Sequence, residues 1–244
     1  MQTTTYGNKA EGNSRFVIIA PHGAGDDLKT GIIAYRLAKK LNAFLVINNK
    51  FIKPNNKRAK DNPDQVEDFN KLRWSYPRSK YLWKKKRPEM KTFFEDIDFF
   101  CKQAKEFSPD KKAVAIYIHG IKSEKVGIDI GAGLKKHNDS ASKVFGTKKH
   151  KDMRDNTGRV TMKIGTLKKI KKQLTEKIKE DSGLNIAVGN RYSGWSKQSA
   201  IQFHKLESRD DYALQFEISH LFRQDDEKIN YIVNLLGEVL DNNF

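Results

Sequence analysis

The sequence predicts an α/β fold: a mixed, mostly parallel sheet flanked by helices, in one domain over residues 1–244 with a flexible N-terminus over 1–14. Short apolar, β-branched runs of strand length alternate with longer segments whose apolar residues recur at helical spacing. The helical segments are long enough to cross over between parallel strands, a connection that takes about a dozen residues or more. A chain of 244 residues also suits one large core, since single cores stop growing only near about 250–300 residues.

The elements follow in order. Phe16–Ala20 is an apolar run ending at Pro21 and reads as a buried strand. After a glycine-bearing loop, Ile32, Ile33, Leu37, Ala38 and Leu41 predict a helix over 28–41, and 43–47 is a second strand. Two strands joined in this way form a parallel pair with a right-handed crossover. The stretch 48–88 is polar and carries Trp74, Tyr76, Tyr81 and Trp83. Loops of that length in compact domains are functional or disordered, and the aromatics favour an ordered, packed one. Met90, Phe93, Phe94, Ile97, Phe100 and Cys101 stripe a helix over 89–107, which Ser108-Pro109 ends. A third buried strand over 113–118 leads into His119-Gly120, and Val126–Gly131 is a short strand. Residues 135–159 are polar and lysine-rich, as expected of a mobile connection. Ile164, Leu167, Ile170, Leu174 and Ile178 mark an amphipathic helix; strands over 184–188 and 212–218 and a helix over 227–240 close the chain.

The chain has 47 Lys and Arg against 30 Asp and Glu, a formal charge of +17. Such a surplus attracts phosphate through counterion release. The lysines are spread along the chain, however, as in Lys39-Lys40, Lys111-Lys112 and Lys168-Lys169, and no RNP1, KH or zinc-finger pattern is present. A scattered surplus reads first as a solvated surface. No stretch approaches the about 20 apolar residues of a membrane helix, and the polar start lacks the apolar centre of a signal peptide. The expectation is a cytoplasmic protein with no membrane partner. Its one cysteine, Cys101, excludes an intramolecular disulfide framework and any CxxC zinc motif, which leaves a metal to histidines and carboxylates.

In open α/β sheets ligands gather at the carboxyl ends of the strands. The first strand ends in Pro21-His22-Gly23-Ala24-Gly25-Asp26-Asp27, the third in His119-Gly120, and the last contains Glu217. A phosphate-binding glycine loop is disfavoured, because Leu28 occupies the required second glycine and two aspartates would repel the phosphates. His22, Asp27 and His119 instead form the His/carboxylate/His set that catalytic zinc takes, with a fourth position open. The alternative is a loop histidine bonded to the backbone, with Asp26 or Asp27 capping the helix that starts near Leu28. Residue types alone leave both open.

The segment Pro21 to Thr30 resembles the first metal-binding segment of the phage poly-γ-glutamate hydrolases and is similar to that of the N-formylglutamate amidohydrolases. Asp68-Phe69-Asn70-Lys71 is similar to the D-x-N-R segment of those amidohydrolases, and Ile118-His119-Gly120 to their second metal histidine. Leu214-Gln215-Phe216-Glu217-Ile218-Ser219, with Arg223 after it, is similar to their LQ-x-E-I strand. These pieces keep the family order. The resemblance implies a phosphorylase/hydrolase-like fold related to the zinc carboxypeptidases, and one zinc ion on His22, Asp27 and His119. It implies an amide or γ-glutamyl bond in a small anionic substrate or γ-glutamyl peptide as the target, with Glu217 as the carboxylate that takes a proton from water and hands it to the leaving amine. Two departures stand out: the HxxE spacing of the carboxypeptidases is absent, and Lys71 replaces the family's arginine.

Arg58, Asn70 and Arg191 are the residues expected to meet the substrate carboxylate, with Asn62 and Arg223 as further candidates. Asp129 is a candidate to orient His119 or to cap a turn; His204 is one to assist, or to pack beside Phe203. Against Glu217 stands a strand whose residues 215, 217 and 219 face water. The rival function is a basic nucleic-acid or polyanion binder on a degenerate hydrolase fold.

Overall fold

The computed structural model describes residues 1–25, 27–72, 87–134, 160–196, 199–206 and 209–244. Asp26, the aromatics Trp74, Tyr76, Tyr81 and Trp83, and the connection expected over 135–159 lie outside the described residues. Eight strands form one sheet: β1 (Gln2–Thr3), β2 (Gly7–Ala10), β3 (Phe16–Ala20), β4 (Phe44–Asn48), β5 (Val114–Ile121), β6 (Val126–Gly131), β7 (Asn185–Val188) and β8 (Tyr212–Ser219). Their order is β1-β2-β4-β3-β5-β8-β6-β7. The central β4, β3, β5 and β8 are mutually parallel. Antiparallel pairings of β2 with β4 and of β6 with β8 flank this block, and β7 runs parallel to β6. The expected mixed, mostly parallel sheet is the one observed.

Alternation along the strands divides the core into two layers. Phe16, Ile18 and Ala20 of β3 and Ile116 and Ile118 of β5 pack with α1 (Thr30–Lys40), α3 (Ile164–Ser182) and α4 (Asp226–Asp241). The intervening Val17, Ile19, Ala115 and Tyr117 face α2 (Pro88–Ala104), whose Phe93, Phe94, Ile97 and Phe100 are buried against them. The crossover between β3 and β4 thus covers one face, and that between β4 and β5 the other. The carboxyl ends of β3 and β5 therefore flank the switch point where such sheets bind ligands.

Three expectations are corrected. The N-terminus is not a loose end over 1–14: β2 pairs along the edge of β4, and Tyr6 is buried with its hydroxyl donating to Asp96 Oδ2 at 2.7 Å. An unpaired strand edge invites a partner, and one anchored aromatic suffices to seat a polar segment there. Helix α1 starts at Thr30 rather than at 28, because Lys29 adopts the left-handed φ of 67° and interrupts any earlier turn. Strand β5 continues to Ile121, so His119 and Gly120 lie inside its ladder with β8 rather than beyond its end. Among the described residues no helix is long and apolar enough to cross a membrane.

Candidate metal centre

The loop after β3 is pinned before it reaches the site. Buried Asn48 donates through Nδ2 to the carbonyls of Pro21 and Phe51, at 2.7 and 2.8 Å, and fastens the ends of β3 and β4 together. Gly23 is required there: a Cβ would lie 2.9 Å from the Asn48 carbonyl oxygen and 2.8 Å from the Ile47 side chain. On the far side of the loop, the Asp27 carbonyl accepts from the N–H and hydroxyl of Thr30 at the start of α1. The Asp27 carboxylate therefore points back under the loop instead of capping the helix, whose N-cap, Lys29, makes no side-chain capping bond.

His22 and Asp27 meet His119 of β5. Asp27 Oδ2 lies 2.9 Å from His22 Nδ1 and 3.2 Å from His119 Nδ1, and the two ring nitrogens are 3.2 Å apart. All three side chains are buried. Behind them, His22 Nε2 is 3.0 Å from Asp68 Oδ1, and Lys53 Nζ reaches Asp27 Oδ1 at 3.1 Å. Burial alone would raise Asp27, yet its bonds to His119 and His22 hold it far below the usual carboxylate range. Asp68 is likewise opposed by burial but is held down at about 2 by His22 and by the Asn70 N–H. The two histidines part company. Burial works against charge on both; Asp27 and Asp68 outweigh it at His22, whose pKa is raised, whereas His119 is lowered. Three donor atoms thus converge: His22 Nδ1, Asp27 Oδ2 and His119 Nδ1.

Those atoms suit a divalent cation. Ligands about 2.0–2.2 Å from zinc at tetrahedral angles are about 3.3–3.6 Å apart, slightly wider than the observed triangle. Asp68 supplies the carboxylate that a ligand histidine needs on its other nitrogen, leaving Nδ1 to face the ion. His119 Nε2 is buried with no hydrogen-bond partner among the described residues. The donor set therefore fits zinc chemically as well as spatially.

Glu217 stands beside this triangle. In the ladders, Glu217 of β8 is the direct partner of His119 on one side and of Asp129 of β6 on the other, so the three share one face of the sheet. All of β8 is buried, which corrects the alternative in which residues 215, 217 and 219 face water. Burial first, then the charges of Asp27 and Asp129, push the Glu217 carboxyl well above its ordinary value. Gln215 Nε2 touches Glu217 Oε1 at 3.4 Å. Asp129 itself accepts the N–H groups of Asn190, Arg191 and Tyr192 at 3.0, 2.7 and 3.2 Å: it caps the turn after β7.

The other candidates are distributed unevenly. Arg58 is exposed and donates to the Ala24 carbonyl at 2.9 Å, its guanidinium over Gly25 of the loop after β3. Asn62 donates to the Arg58 carbonyl at 3.3 Å. The Asn70 N–H binds Asp68 Oδ1 at 3.1 Å, and its own side-chain oxygen is buried without a hydrogen-bond partner among the described residues. Arg191 is exposed and its guanidinium covers the Tyr192 ring. Arg223 is not available to a substrate: it donates to the carbonyls of Leu28, Ile121 and Ile218. His204 lies elsewhere, against Tyr117 and Cys101. Asp68 and Lys53 were not expected as neighbours of the triangle. Asp68 had a signal in the D-x-N segment, whereas Lys53 was one lysine among many.

The fold has relatives among solved structures. One is the gene product Atu2144 of Agrobacterium tumefaciens, 12% identical, with a TM-score of 0.53 over 96% of this chain and 89% of that one. Another is a bacteriophage poly-γ-glutamate hydrolase, 11% identical, with a TM-score of 0.47 over 96% and 87%. A third is a succinylglutamate desuccinylase from Vibrio parahaemolyticus, 12% identical, with a TM-score of 0.46 over 97% and 68%. No protein-family model and no curated protein sequence matches the chain. Likeness at such identities speaks of the fold alone.

Proposed function

We propose that this protein is a metal-dependent hydrolase that cleaves an amide bond, N-acyl or γ-glutamyl, in a small anionic substrate, with one zinc ion held by His22, Asp27 and His119. The observation that carries the reading is the triangle of donor atoms, 2.9 to 3.2 Å on an edge, with the Glu217 carboxyl next to His119 in the sheet. A zinc ion supplies a Lewis acid for the scissile carbonyl and brings the acidity of water near neutrality.

The chain's own residues do the rest. Asp68 holds the His22 ring in one orientation and tautomer. Glu217 takes a proton at its carboxylate and returns it to the leaving nitrogen; its buried setting keeps competing water away. Arg58 and Asn70, attached to the metal loop and to Asp68, face the carboxylate of the substrate, and Arg191 approaches from the turn that Asp129 caps.

Metal analysis of the purified protein, with assays on a panel of N-acylglutamates and γ-glutamyl peptides, tests this. The expectation is that His22→Ala holds about one zinc per chain fewer than the parent, and that Glu217→Gln retains the metal with activity lowered about 10²–10⁴-fold. A protein that binds no divalent metal, or a Glu217→Gln variant as active as the parent, overturns the proposal.

A further inference from the structure

We propose a second metal site in this protein, formed by Cys101, His204 and Asp211, that binds a borderline-soft divalent ion such as zinc as a structural cross-link. It shares no residue with the first centre. Cys101 comes from α2, His204 from the 3-10 turn Ala200–Lys205, and Asp211 from the residue before β8. Their side chains are almost wholly buried, at 2%, 0% and 4% exposure.

Geometry sets this cluster apart from a merely hydrogen-bonded core. The sulfur, a ring nitrogen and a carboxylate oxygen all lie within 4.8 Å of one another. Cys101 Sγ is 4.0 Å from His204 Nδ1, and that nitrogen is 4.0 Å from Asp211 Oδ2. An N···O distance of that size is too long for a hydrogen bond, which a separation beyond about 3.5 Å no longer makes. Around an ion at ordinary Zn–N, Zn–O and Zn–S lengths, ligand atoms at trigonal angles stand about 3.5–3.8 Å apart, so the two 4.0 Å edges at His204 need to shorten by only a few tenths of an ångström, while the Cys101–Asp211 edge lies within 4.8 Å.

The surroundings orient each donor. His204 Nε2 is 2.9 Å from the Tyr117 hydroxyl oxygen, which is 3.4 Å from the Ala200 carbonyl. Nε2–H donating to Tyr117, and Tyr117 donating on to Ala200, leaves the lone pair of Nδ1 facing Cys101 and Asp211. That is the tautomer of a ligand histidine with its outer partner in place. Asp211 spends its other oxygen, Oδ1, on Lys105 Nζ at 3.0 Å and on the Ala113 N–H at 3.2 Å, which turns Oδ2 toward the histidine. Thiolate and carboxylate together offset a divalent charge, and the thiolate selects against magnesium and calcium. Bound there, the ion would tie α2 and the turn to the entry of β8, the strand that carries Glu217.

The sole cysteine gives the site its own signal. The protein is unfolded with chelator, then refolded with cobalt(II), and only material eluting at the native volume is measured. The expected result is a near-ultraviolet thiolate-to-cobalt charge-transfer band in the parent and in His22→Ala, absent from Cys101→Ser and His204→Ala. His22→Ala should also retain about one zinc per chain. Natively eluting parent protein that shows no such band overturns the proposal without reference to any variant, as does a band that persists in Cys101→Ser. Failure of the first centre removes the His22-dependent metal and leaves this band unchanged, so the two outcomes are separable.

Discussion

At the scale of single residues, the side chain with the most leverage on the metal triangle is outside it. Asp68 receives His22 Nε2 at 3.0 Å, so replacing it by Asn keeps the shape and removes the charge that fixes the imidazole. Asp68→Asn should weaken zinc binding about 10–100-fold, read by competition with a chromophoric chelator; an unchanged affinity would remove Asp68 from the site. That His22, Asp27, His119 and Glu217 come together was legible because each lies in or just after a buried strand, near the strand ends where α/β sheets bind ligands. Asp68 was harder to place: it lies 46 residues from its partner in a polar stretch with no periodicity to follow. Lys53 carried no signal in a chain with 47 basic residues. The two readings of Asp129 demanded the same residue type, so only the N–H groups it accepts could separate them.

At the scale of elements, periodicity identified every buried strand of the central block and all four described helices, because their apolar faces must repeat to reach the core. It missed β1 and β2, which are polar and owe their place to the β4 edge rather than to a face of their own. It also stopped β5 too early, since His119 and Gly120 look like terminators while the partner strand carries the ladder on to Ile121. The layer under α2 is the more aromatic of the two. Phe93 there meets Tyr6, Phe69 and Phe94 edge-on, at centroid distances of 5.1, 5.1 and 5.4 Å. Phe93→Ala should cost about 3–5 kcal/mol in urea unfolding. A loss of well under about 1 kcal/mol would mean that this layer closes over the gap.

At the scale of the whole molecule, the charge of +17 surrounds a site built of carboxylates and histidines. A positive field draws anions inward and weakens as salt screens it. For an anionic substrate kcat/KM should therefore fall as ionic strength rises, and a flat profile would return the lysines to ordinary surface. Salt-steep binding of DNA or RNA that survives Glu217→Gln would favour the polyanion-binding alternative. The molecule has one further global property, which comes from Arg223. Its guanidinium holds the carbonyls of Leu28, Ile121 and Ile218, so a single buried side chain spans the loop that bears Asp27 and the strand ends that follow His119 and Glu217. Gly120 leaves it room, since a Cβ there would lie 2.5 Å from the guanidinium carbon. The three segments should consequently behave as one cooperative unit in native-state hydrogen exchange, opening together with a common free energy. Arg223→Ala should split them into separately exchanging pieces; three unequal opening energies in the parent would show that the site is assembled from independent parts.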